Sequence, residues 1–204
     1  MIDERELNDL IDTLVLHDQQ DEAEEILMRE YDTANQNQDV RRLGAVLDGL
    51  VFVISSRTQP DVARAKMYCQ EREKNSDTSY SKLKTGIFLF STAKDYQSAV
   101  SKLRETIARA EEEADHKTRY TSLGFLGRSY LELDQADEAL GILDEIERCL
   151  DSRNPIVIGD ETVFLENAQK RGVGVESVRR IASALAGACR DGEFAARLRS
   201  LASQ

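Results

Sequence analysis

Two histidines, His17 and His116, three cysteines, Cys69, Cys149 and Cys189, and two acidic runs, Glu22-Ala-Glu-Glu25 and Glu111-Glu-Glu113, are the groups of this 204-residue chain that could carry proton transfer, nucleophilic attack or metal binding. Structural zinc sites are recognised in a sequence by His and Cys at short intervals. The histidines lie ninety-nine residues apart and no Cys-x-x-Cys pair is present, so no metal site is expected. His17 and Asp21 are four apart but straddle a helix turn, which predicts a capping or solvated role. Carboxylate pairs act as acid and base only when they converge in a cleft, whereas runs of glutamate on a helix read as a solvated face. Gly172-Val-Gly174 follows a helical pattern, not a strand, and so lacks the context of a dinucleotide loop. With no P-loop, EF-hand loop or G-x-S-x-G elbow either, the chain is expected to be non-catalytic and to need no cofactor.

Charge and composition narrow the field further. The chain carries 38 acidic and 27 basic side chains, a formal net charge of -11. Phosphate binding draws on clustered Lys and Arg, so the acidic balance argues against a generic nucleic-acid or anionic-membrane surface and leaves room only for local basic patches. The longest strongly apolar run, Leu50-Val-Phe-Val-Ile54, falls far short of the roughly 20 residues that span a bilayer. The N-terminus is charged from Asp3 onward, unlike a secretory signal. A cytoplasmic location with no membrane segment is the expectation. Three widely spaced cysteines suit reduced thiols better than a disulfide frame.

Any site must therefore be built by the elements that carry these residues. Apolar residues recur at three- and four-residue steps, as in Leu7, Leu10, Ile11, Leu14 and again in Leu43, Leu47, Leu50, Ile54. That is the helical period, and no strand-like alternation is sustained. Polar breaks at His17 to Asp21, Asn35 to Asp39, Arg57 to Pro60, Asn75 to Asp77, Lys94-Asp95, Asp115 to Lys117, Asp134-Gln135 and Asp151 to Gly159 leave eight helices before residue 151.

Four alanines that follow polar turns, Ala23, Ala63, Ala99 and Ala139, each have a leucine sixteen residues upstream: Leu7, Leu47, Leu83 and Leu123. Nine residues before each alanine stands Leu14, Ile54, Phe90 or Tyr130, and four residues after it Leu27, Met67, Leu103 or Leu143. A small residue early in one helix facing bulky residues of the preceding one is what close antiparallel packing requires.

These columns resemble the tetratricopeptide repeat (TPR), with its W-x2-L-G-x2-Y first helix and A-x3-F second helix. Leu123, Leu126, Gly127, Tyr130, Ala139 and Leu143 match best. Units are spaced by 40, 36 and 40 residues, longer than the family's 34, and the closing proline is missing. The resemblance covers residues 3 to 150 and implies an all-α fold: antiparallel hairpins stacked as a short right-handed TPR-like solenoid over 1–150, with capping helices over 151–204. It also implies protein–protein interaction, with a peptide or helix of a partner bound along the first helices. By similarity the groove-facing slots hold Asn8 and Asp12, Asp48 and Phe52, Lys84 and Phe88, and Gly124 and Arg128. Phe52 and Phe88 would form an aromatic pair, with Lys84 and Arg128 meeting acidic groups, unless the C-terminal helices fill the groove. The carboxylate clamp of chaperone-binding members is not implied, because Asn8 and Asp12, Gly49, and Ser81 and Thr85 replace its donors.

Beyond Asn154-Pro155 the charge changes character. Residues 1–150 hold 31 acidic and 19 basic side chains, a net of -12, and residues 151–204 hold 7 and 8, a net of +1. Helices are predicted from Asp160 to Lys170, Val175 to Arg190 and Glu193 to Ala202. Two alternatives to groove binding arise here: self-association through Phe194, Leu198 and Leu201 into a homodimer, and a weak nucleic-acid-binding helix pair using Arg179, Arg180, Arg190, Arg197 and Arg199.

Overall fold

The computed structural model describes residues 3–151, 160–189 and 191–203, all of them in helices or the turns between them. The helices are α1 (Glu4–Leu16), α2 (Gln20–Gln36), α3 (Val40–Ser55), α4 (Val62–Asn75), α5 (Ser79–Ser91), α6 (Tyr96–Glu112), α7 (His116–Glu132), α8 (Ala136–Asp151), α9 (Asp160–Lys170), α10 (Val175–Ala188) and α11 (Gly192–Ser203). The predicted break over 152–159, and Arg190, lie outside the described residues.

Local chemistry sets the boundaries. Asp3, Asp39, Asp61, Thr78, Asp95 and Asp115 each accept a backbone N–H of the following first turn, which satisfies a donor that has no partner within the helix. Five connections place one non-glycine residue in the left-handed region: Asp18, Gln38, Lys94, Ala114 and Asp134. After Gln38, Lys94 and Ala114 the very next residue is the capping aspartate. The Asp39 and Asp115 N–H groups also bond back to Ala34 and Ala110, so one short turn closes a helix and opens the next.

The chain divides into two compact units, residues 1–93 and 94–204. In the first, α1 to α4 form two hairpins and α5 packs on α4 and α3. Its core holds Leu7, Ile11, Leu14, Ala23 and Leu27 against Val46, Leu50 and Val53. One predicted column is displaced. Ala63 is exposed and Met67 is 64% exposed, while Ala65 and Cys69 are buried in their place. The α3–α4 connection explains the shift: it runs over six residues, Ser56 to Asp61, against three between α1 and α2, so the packed alanine arrives two residues later.

In the second unit α6 packs on α7, α7 on α8 and α9, and α10 on α8, α9 and α11. Leu123, Leu126, Tyr130, Ala139 and Leu143 are buried as their columns predict. At Gly127 an added Cβ would lie 2.5 Å from the ring of Phe164, so α9 reaches α7 only where a side chain is missing. Gly172 and Gly174, with φ of +72° and +56°, turn α9 into α10, which gives that glycine pair a structural role. The surface expected to join two chains is largely consumed: Leu198 and Leu201 are buried within the unit, and only Phe194 is partly exposed. Two of the arginines expected to contact nucleic acid are engaged within the unit, Arg180 in two bonds to Glu147 and Arg197 in two bonds of 2.8 Å to Glu166.

Hydrogen bonding from Arg197 holds the Glu166 carboxyl below its usual range. A depressed carboxylate stabilises the fold above its unfolded pKa, and that contribution disappears as pH falls through the folded value. Arg197→Gln should therefore lower stability by about 0.5–1 kcal/mol near neutral pH, a modest amount because both side chains are partly solvated. Denaturant titrations should show wild type and variant converging below about pH 4; a gap unchanged at low pH would refute the assignment.

Candidate functional site

Helices α1, α3 and α5 run in the same direction, each separated from the next by one returning helix. Residues four apart share a helix face. Glu4, Asn8 and Asp12 make such a row on α1; Val40, Gly44, Asp48 and Phe52 make a second on α3; Tyr80 and Lys84 make a third on α5. The three rows line one groove of about 780 Å³. Val40, Phe52 and Tyr80 are 51%, 45% and 46% exposed. Seven large apolar side chains are exposed among the described residues, and three of them meet in this one groove.

A smaller cavity of about 230 Å³ opens beside Phe52, between Val51 on α3 and Ile87 and Phe88 on α5, with Cys69 and Thr85 also lining it. Asp48, Phe52, Arg72 and Lys84 border both spaces. Burial pushes the Cys69 thiol up to about 12, so it is no nucleophile at neutral pH.

The charged groups of the groove fall into two kinds. Arg72 reaches over from α4: its Nε lies 2.5 Å from one Asp48 oxygen and its Nη2 donates to the other at 2.9 Å. Two cations lie over the Tyr80 ring, the Arg72 guanidinium at 5.1 Å and the Lys84 ammonium at 5.3 Å from its centroid. Burial raises the Asp48 carboxyl above the usual carboxylate range, against the pull of Arg72 and Lys84. Glu4 pairs with Arg41 at 3.3 Å near the surface. Asp12, in contrast, is exposed and has neither a hydrogen-bond nor an ion-pair partner among the described residues.

Five sequence-predicted residues, Asn8, Asp12, Asp48, Phe52 and Lys84, line this one groove. Phe88 is not a second exposed ring: at 3% exposure it forms a wall of the side cavity. Arg128 belongs to α7 of the second unit, with its guanidinium 4.8 Å from the Phe125 ring centroid, and Gly124 is buried there. Val40, Gly44 and Tyr80 were missed. Stepping back along the same rows, one helical turn from Asp48 and Lys84 to Gly44 and Tyr80 and a second turn to Val40, would have found them.

Elsewhere the chemistry-bearing residues have structural partners. His17 Nδ1 lies 2.7 Å from the Thr13 carbonyl at the end of α1. Arg119 contacts Cys149 Sγ at 2.7 Å and bonds Glu111 and Glu145 at 2.9 Å each, and His116 lines a surface pocket together with these four residues. Among the described residues no group of three or more His, Cys, Asp or Glu side chains could hold a metal ion, and no helix is long and apolar enough to cross a membrane.

The chain has an all-α, TPR-like repeat fold. It is similar to a crystal structure of nearly identical TPR-like repeats from a candidate kinesin light chain of Podosopora anserina, with a TM-score of 0.63 at 15% identity over 97% of this chain and 93% of that one. A point variant of the same Podosopora anserina protein gives a TM-score of 0.64 at the same identity and coverage. No protein-family model matches the chain, and no curated protein matches it.

Proposed function

We propose that this protein is a non-catalytic interaction module, an adaptor that takes a segment of another protein into the groove of α1, α3 and α5. The observation that carries this reading is the convergence of Val40, Phe52 and Tyr80, all exposed, on one groove edged by Asp12, which has no partner among the described residues. Folded chains rarely leave bulky apolar side chains clustered in contact with water unless a partner covers them. The TPR-like fold supports the same role, since stacked hairpins present a binding surface on their first helices.

Phe52→Asp tests the groove directly. The ring is exposed, so the circular dichroism of the variant should match wild type. Loss of a central aromatic anchor costs about 2 kcal/mol or more, so binding of proteins captured by the wild-type chain should weaken more than tenfold. Capture equal to wild type would refute the groove assignment.

A further inference from the structure

We infer that the segment this groove accepts is an α-helix of a partner protein, with one aliphatic side chain seated beside Phe52 and a Lys or Arg facing Asp12; this rests on the groove being the docking site.

The first argument is backbone accounting. An extended segment brings one N–H and one C=O per residue that must find partners when water is excluded. Most of the lining comes from α1, α3 and α5, whose backbone groups are largely bonded within their own helices, and only Ser76 and Thr78 come from the α4–α5 turn, so an extended segment would depend on side chains such as Asn8, Thr78 and Lys84 for its backbone partners. A helix carries its backbone bonds with it and asks for none.

The second argument is the floor. Gly44 lies within α3, where glycine costs about 1 kcal/mol relative to alanine. A Cβ there would meet no atom within 4 Å, so packing within the chain does not require the glycine. With Ala45 beside it, Gly44 keeps the centre of the groove low, and low side chains let two helix axes approach to roughly 8–10 Å.

Charge and volume fix the face of the incoming helix. Asp12 is the lining carboxylate that has no partner among the described residues, in a chain of net charge -11, so a cation complements it. The cavity of about 230 Å³ is walled by Val51, Phe52, Ile87 and Phe88 and has room for one leucine- or methionine-sized side chain.

Two fluorescent peptides of roughly 18 residues, long enough to form a helix, test this on the full chain. One is built of Ala, Gln and Lys with Leu at helical spacing; the other is identical but for two central Ala→Pro changes. The helical peptide should bind saturably, and the proline peptide at least about tenfold more weakly. Gly44→Gln should weaken the helical peptide about tenfold while making the protein more resistant to denaturant, because it replaces a helix-interior glycine. Equal binding of both peptides, each lost in Phe52→Asp, would overturn the helical occupant and leave the groove reading standing. Binding of the helical peptide that survives Gly44→Gln and vanishes with salt would be mere attraction to an acidic surface, and would overturn the inference too. If neither peptide binds at millimolar concentration, the groove reading falls with it.

Discussion

Gly127→Ala should destabilise the protein by about 2 kcal/mol, although helix propensity alone predicts a gain of about 1 kcal/mol for replacing a glycine within α7. The new methyl carbon would sit 2.5 to 2.7 Å from three atoms of the Phe164 ring. That ring is fully buried and cannot swing aside, and forcing a methylene-sized group into a filled core costs roughly 1–3 kcal/mol even before strain spreads. Thermal unfolding should move down by roughly 4–8 °C. The cause is separable from glycine's general effects by making the change in a Phe164→Leu background. With the ring gone, the alanine should be neutral or stabilising, a non-additivity expected of side chains in contact. An equal penalty in both backgrounds would remove Phe164 from the explanation.

The second large effect is expected at the ion pair in the groove. Asp48→Ala leaves the Arg72 guanidinium, whose side chain is only 9% exposed, without its two oxygen contacts. Breaking a buried pair on one side costs about 3–5 kcal/mol, and partial solvation of Asp48 places this case near the lower end. Replacing both residues by methionine should cost less than the single change, because no charge is then stranded. Urea denaturation of wild type, the single variant and the double variant decides it. A double variant less stable than Asp48→Ala would mean that the pair contributes net stability instead of balancing its own desolvation.

How much of this could be read from the residues depends on which physical signal each feature leaves. The eight helices before residue 151 were legible because their apolar stripes and polar breaks are strong, and α9 matched its predicted bounds. The packed alanine of α4 was not. Asp61-Val-Ala-Arg-Ala65 offers two alanines, each followed four residues later by an apolar side chain, Met67 or Cys69. Spacing alone chooses the wrong one, since only the folded length of the α3–α4 connection distinguishes them. Asn8, Asp12, Asp48, Phe52 and Lys84 were reached through the repeat register. The unequal fates of Phe52 and Phe88 were invisible, because equivalent slots in a repeat do not imply equal exposure. Arg72 was hidden for another reason: it comes from a second helix, which the register assigns to the rear of the hairpin.

The short turns described for the fold have an implication for how this chain tolerates change in length. Where Gln38, Lys94 and Ala114 are followed at once by a capping aspartate, no residue is spare, and an insertion would either unwind a helix end or rotate every following side chain off its face. The Ser56–Asp61 segment is under no such constraint. It is the place in the first unit where a change in length would be felt first as a shift in which alanine of α4 packs, ahead of any change in the rows of α1 and α3.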